Sequence, residues 1–178
     1  MKSKISLLII LFFLISSSSF SQEKSKKELR KEQKEKEALE QQSKTKHLVD
    51  AKAFVFVAQT AFPRGTRSIN LRGDNYFVKF QPDLIESVMP FFGRGYSGVG
   101  YSGENGLMFK GKPKSFEVKK TKKKYQIDVM VDEKSNDYDL SLTVDIDGNA
   151  SLSIASNNRS NISYQGYLEP IKKEAEKE

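Results

Sequence analysis

The strictest constraint in this chain is an alternation of period two through its second half. Phe116/Val118, Tyr125/Ile127/Val129/Val131, Tyr138/Leu140/Leu142/Val144/Ile146, Leu152/Ile154 and Ile162/Tyr164 place an apolar side chain at every other position, with polar residues between. A strand points successive side chains to opposite faces, so each segment makes a strand with one apolar and one solvated face. Turn-forming stretches separate them: 119–124, 132–137, Asp147-Gly148-Asn149 and 156–160. Asp147-Gly148 suits a tight hairpin. Five strands joined by short turns predict an antiparallel meander.

Further strands precede these. Ala53-Phe54-Val55-Phe56-Val57-Ala58 is an apolar run that fits a strand buried on both faces. Arg64-Gly65 breaks it. Ile69/Leu71 and Tyr76–Phe80 supply two more, with Gly73-Asp74-Asn75 turning between them. In Pro82–Met89, Pro comes first and Leu84, Ile85 and Val88 share one helical face, which predicts a short helix closing an end. About eight strands with a single apolar face must close on themselves or stack as two layers. Closure removes exposed edges, and a barrel of about eight strands has room for side chains or one small ligand. The expected fold is all-β, an antiparallel meander closed or nearly closed into a lipocalin-like barrel. A two-sheet β-sandwich is the alternative.

The flanking segments have other compositions. Residues 1–21 carry Lys2 and Lys4, an apolar stretch from Ile5 to Ile15, then small residues ending Ser19-Phe20-Ser21. The stretch is too short for a hydrocarbon core that takes about 20 residues, so the segment reads as a signal peptide cleaved before Gln22. The chain has no cysteine, which closes off a lipid anchor. The expectation is a soluble, monomeric protein, periplasmic or secreted, with no transmembrane segment after cleavage. Residues 22–47 hold Leu29, Ala38 and Leu39 as their only aliphatic side chains. Strong helix formers and the pairs Glu23/Lys27, Glu32/Lys36 and Glu40/Lys44 predict a charged helical leader, solvated all round and acting as a spacer. The β domain then covers 48–168, and 169–178 is a charged tail.

Composition excludes much chemistry. Without cysteine there is no disulfide scaffold, thiol nucleophile or Cys-ligated zinc, and the lone His47 cannot build a multi-histidine metal site. The formal charge of +7 falls to +5 once residues 1–21 are gone, and no nucleic-acid-binding module accompanies it, so nucleic acid is set aside. No catalytic constellation, cofactor motif or metal site stands out. Asp145-x-Asp147-Gly148 is half of a calcium loop without its later acid, and reads as a hairpin turn. Asp132, Glu133, Asp137 and Asp139 flank another turn as solvated charge. The lysines of 119–124 fit either a solvated hairpin tip or a contact with anionic lipid or polysaccharide.

The segment 89–106 is the most unusual, with six of the eleven glycines. Gly93-Arg94-Gly95-Tyr96-Ser97-Gly98 matches G-x-G-x-x-G, but glycines follow where a phosphate-binding helix would have to begin. A flap beside a barrel mouth is the functional reading. Phe91, Phe92, Tyr96 and Tyr101 would offer aromatic faces and Arg94 one positive group, making these the candidate ligand-binding residues. The structural alternative has Phe91 and Phe92 plugging the barrel and Arg94 paired with a carboxylate.

Pro90-Phe91-Phe92-Gly93-Arg94, Gly106-Leu107-Met108-Phe109 and Arg159-Ser160-Asn161-Ile162-Ser163-Tyr164-Gln165-Gly166 together resemble Domain of Unknown Function 4251, a family of small exported proteins from Bacteroidetes-type bacteria. The resemblance runs from about Phe54 to Leu168. It implies a barrel-like antiparallel fold and export, and it implies no activity, cofactor or site residue. The expected function is a non-catalytic binding module for a small apolar or amphipathic ligand. The alternative is a protein-interaction or structural module of the cell envelope.

Overall fold

The fold is a computed structural model that describes residues 2–93, 106–133 and 136–172, with side chains from Lys26 onward and without that of Glu133. A long helix, α1 (Lys2–Asp50), precedes ten strands. Residues 1–40 and 41–178 form two compact units. In the first, Leu29 and Leu39 are exposed, as a helix polar on all sides requires. The leader does not pair as its sequence suggests: Lys31–Glu35 (4.0 Å) forms, whereas Glu32–Lys36 and Glu40–Lys44 do not. Exposed ion pairs of this kind contribute little, so side-chain entropy decides which close.

The last turns of α1 belong to the second unit, and here the reading of a wholly solvated leader through residue 47 is corrected. Thr45 and Val49 are buried, and Thr45 Oγ1 donates to the Gln41 carbonyl at 3.0 Å. The helix stops where Lys52 takes a left-handed φ of 50°. Its ammonium reaches across the fold to donate to the Phe116 carbonyl at 2.9 Å and lies 4.8 Å from that ring's centre.

The strands are β1 (Phe54–Pro63), β2 (Ile69–Asn70), β3 (Phe77–Phe80), β4 (Ile85–Pro90), β5 (Gly106–Gly111), β6 (Pro113–Lys120), β7 (Lys124–Glu133), β8 (Asn136–Asp145), β9 (Asn149–Ser156) and β10 (Arg159–Glu169). They form one sheet in the order β5-β4-β3-β1-β10-β9-β8-β7-β6, antiparallel throughout, with β2 against β1. The sheet curls into a nearly closed barrel of the lipocalin-like kind, not a two-sheet sandwich. Counting along the antiparallel pairs, β5 and β6 run in the same direction, and only Lys112 separates them. They act as one bent strand whose first half pairs with β4 and whose second half pairs with β7. That switch of partner closes the wall, and a Cβ on Gly111 at the bend would sit 2.8 Å from Val131 Cγ1.

Residues 85–90 are strand β4, not the short helix expected from Leu84, Ile85 and Val88. Ile85, Ser87 and Met89 are buried with a period of two, followed by buried Pro90 at the strand's end, and Ser87 satisfies its hydroxyl on the Leu107 carbonyl at 2.7 Å. The helix that covers this end is α1. Strand β5, hidden at the edge of the glycine-rich segment, is the other addition to the expected set.

The inward row is packed. Phe54, Phe56, Val78, Phe80, Ile127, Leu142, Leu152 and Tyr164 have no accessible surface, so not even a water molecule fits against them. Phe54 stacks on Phe80 at 4.9 Å, Phe116 meets Phe80 edge-on at 6.3 Å, and Phe109 stacks on Tyr138 at 4.0 Å. These aromatics occupy the space a hollow barrel would give to a ligand. Gly166 sits at the β1–β10 bulge, where the register shifts between Ala58 and Thr60; a Cβ there would collide with the Val57 carbonyl oxygen.

Candidate binding surfaces

The glycine-rich segment begins after Pro90 of β4 and ends at Gly106 of β5, and both of these residues are held by β10 in a clasp. Tyr164 donates its hydroxyl to the Pro90 carbonyl at 2.5 Å. Arg159 Nη1 donates to the Gly106 carbonyl at 2.6 Å, and the guanidinium lies over the Phe91 ring, 5.1 Å from its centre. Gly93 is pressed against Ser160 and Phe91, leaving no space for a side chain. Phe91 packs on the core with the Arg159 guanidinium over its ring, while Phe92 is exposed. Arg94, Tyr96 and Tyr101 lie outside the described residues. Burial pushes the Tyr164 hydroxyl well above the ordinary phenol range, although the charge of Arg159 pulls the other way. A neutral, donating tyrosine is what the Pro90 carbonyl needs.

A second surface lies on the outside of the wall. Here β1, β3 and β10 turn Val55, Val57, Phe77 and Tyr167 outward, and Tyr76 and Ile171 close round them into an open groove of about 550 Å³. Asp74, Lys79, Glu169 and Lys172 stand among its lining. Lys79 pairs with Glu86 at 3.5 Å, and Glu86 also reaches Lys110 at 3.8 Å. Burial and the neighbouring Glu169 both raise the Tyr167 hydroxyl, so it too stays neutral. The groove was not among the sequence candidates. Its one sequence signal is the run Ala53–Ala58, apolar at the outward Val55 and Val57 as well as at the inward positions.

The acidic candidates resolve into turns. Gly148 adopts φ of 89° and donates its N–H to the Asp145 carbonyl at 2.9 Å, while Asp147 accepts from the Asn149 N–H at 3.1 Å and side chain at 2.9 Å. Asp132 and Asp137 share Lys114, at 2.9 and 3.3 Å. Among the described residues no three acidic, histidine or cysteine side chains gather as a metal site. No helix among them is long and apolar enough to cross a membrane.

Fold and clasp define a small, nearly closed β-barrel domain capped by the end of a helix, its aromatic interior packed and the residues that flank its glycine-rich segment held by β10. The sequence pattern of the family described as Domain of unknown function (DUF4251) matches residues 34–168, and the chain belongs to that family. None of the curated proteins matches the sequence. Among solved structures, a DUF4251 family protein from Bacteroides eggerthii shares the fold with a TM-score of 0.57 and 18% identity, over 73% of this chain and 87% of that one. The family match begins inside α1, consistent with the burial of Thr45 and Val49 beyond that point. The blocks that carried the resemblance meet in space: Pro90 with Tyr164, Gly106 with Arg159, Gly93 with Ser160. Their shared task is to tie the end of β4 and the start of β5 to β10.

Proposed function

We propose that this is an exported, non-catalytic binding module, with residues 1–21 as its signal peptide, and that it takes a small amphipathic ligand on its outer wall. One observation carries the reading: Val55, Val57, Phe77 and Tyr167 lie side by side on β1, β3 and β10 and, with Tyr76 and Ile171, form an open groove of ligand size, whereas the exposed Met108 and Met130 elsewhere on the wall stand outside it. An apolar body would lie over the valines and Phe77. A polar end would reach Asp74 or Lys172 at the margin. The packed interior supports the outside of the wall as the place for a ligand, in contrast to a hollow lipocalin.

Native mass spectrometry of the protein from its own envelope fraction, without detergent, tests this. The expected result is an adduct that disappears on denaturation and is absent from Val57→Glu, with the melting temperature of that variant within a few degrees of the parent. An adduct that survives Val57→Glu would place the ligand elsewhere, and a consistently bare mass would favour an envelope protein as the partner.

A further inference from the structure

The end of the barrel where α1 finishes carries an excess of one charge. The β6–β7 turn presents Lys119, Lys120, Lys122, Lys123 and Lys124, all exposed. It is a built turn. Thr121 donates its N–H and its hydroxyl to the Lys124 carbonyl, at 2.8 and 3.0 Å, and its hydroxyl accepts the Lys124 N–H at 3.1 Å. The Ile146 N–H donates to the Lys123 carbonyl at 3.3 Å, tying the tip to the β8–β9 turn. Lys119 pairs with Glu117 at 3.5 Å, Lys124 with Asp145 at 3.4 Å, and Lys120 lies over the Tyr125 ring at 5.5 Å. Among the described residues, Lys122 and Lys123 form no ion pair, so their charge points outward unspent.

The chain enters the barrel at this same end. Val49 is fully buried, Gln41 and Thr45 lie against Gly148 of the β8–β9 turn, and Asp50, paired with Lys46 at 2.7 Å, sits within electrostatic reach of Lys120. At the opposite end Lys114 is held between Asp132 and Asp137, and Arg64 and Arg67 of the β1–β2 loop are exposed cations there.

We propose that the lysine end docks on an anionic lipid surface, with Lys122 and Lys123 at the contact. The tip is a convex hairpin turn whose five lysines are all exposed, and Lys122 and Lys123 stand at its outermost positions. A rigid turn of cations suits the diffuse field of a charged headgroup layer, where each lysine near the surface adds to an attraction that salt weakens. The outer groove and its ligand are not involved.

The test uses the full chain and vesicle flotation, with phosphatidylcholine alone or mixed with phosphatidylglycerol. Any binding through the apolar segment appears with both and sets the baseline. The expected result is an excess on the anionic vesicles that fades as salt rises. K122Q/K123Q should cut the excess on the order of tenfold. R64Q/R67Q, which removes two cations from the β1–β2 loop, should leave it unchanged. Equal binding to both vesicle types overturns the proposal, as does an undiminished excess in K122Q/K123Q. An equal loss in R64Q/R67Q overturns it as well, since net charge alone would then explain the binding. Tip-dependent binding to soluble dextran sulfate without binding to vesicles would make the partner a polyanion instead.

Discussion

The two halves of the barrel wall match on the inside and differ on the outside. Strands β7, β8 and β9 bury Ile127, Val129, Leu140, Leu142, Leu152 and Ile154, and turn out Gln126, Asp128, Ser141, Thr143, Ser151 and Ser153. Those outer groups satisfy one another: Ser141 donates to Asp128 at 2.8 Å, and Gln126 to the same carboxylate at 3.3 Å. Strands β1, β3 and β10 bury Phe54, Phe56, Val78, Phe80, Ile162, Tyr164 and Leu168, yet turn out Val55, Val57, Phe77 and Tyr167. The inner rows answer to packing alone and are interchangeable in kind. The outer rows answer to what lies outside: among the described residues β7–β9 expose a single large apolar side chain, Met130, whereas β1, β3 and β10 gather four into one groove.

The sharpest test of the shared interior is a matched pair, Phe56→Ala in one half and Leu142→Ala in the other. Both positions have no accessible surface, so each should lose about 3–5 kcal/mol in urea unfolding. A loss below about 1 kcal/mol at Phe56 would mean that half of the barrel is loosely filled. Gly166→Ala comes next. It leaves the apolar content alone but pushes a methyl group into the Val57 carbonyl, and the β1–β10 ladder must shift to admit it. A cost of about 1–3 kcal/mol is expected. A neutral outcome would show that the bulge at Ala58/Thr60 absorbs the change.

The inner rows were legible in the sequence because a period of two survives any tertiary detail, and Tyr125 through Tyr164 announce four strands without ambiguity. Strand β4 was not legible. Leu84, Ile85 and Val88 share a helical face only by spacing, and the burial of Ser87 depends on a carbonyl of β5 twenty residues on. The burial of Thr45 in the last turns of α1 was missed for a related reason: Thr45 looks unremarkable until Gly148 leaves it and Gln41 room. The groove was half legible. The run Ala53–Ala58 marked two apolar faces, but Tyr76, Tyr167 and Ile171 reach Val55 and Val57 only through the fold. Of the candidate residues, Phe91 and Phe92 are described and Arg94, Tyr96 and Tyr101 are not. Of the two residues that hold the ends of the glycine-rich segment, Tyr164 was legible as an inward strand position, and Arg159 stood in the sequence only as part of a family-like block.

Tyr164 links the inner row to the clasp, and its effect depends on pH. Tyr164→Phe keeps the ring and removes the donor to the Pro90 carbonyl, which should cost about 1 kcal/mol near neutrality. The folded protein holds this phenol above its ordinary value, so the unfolded chain loses its proton first. Below about pH 10 that contribution is fully present; as pH rises further, the unfolded state binds fewer protons and stability falls. Urea melts across the alkaline range should show a steeper decline in the parent than in Tyr164→Phe. Parallel slopes would mean that the hydroxyl ionises as freely in the fold as outside it.

The smallest effects bear most directly on the outer contrast. Ser141→Ala removes one exposed hydrogen bond to Asp128, and its stability should stay within about 0.5 kcal/mol of the parent. Val57→Ser removes two methyl groups from the floor of the groove. If the groove is a surface held open for a ligand, the methyls have few partners in the free protein, and the cost should also stay within about 0.5 kcal/mol while ligand binding drops. If instead the apolar outer row exists to pack the end of β10 and the segment through Ile171, Val57→Ser should cost more than about 1 kcal/mol and leave the bound mass unchanged. The same substitution thus separates a surface shaped for a guest from one shaped for the chain's own tail. Ser141→Ala supplies the scale, since a polar outer wall has no guest to lose.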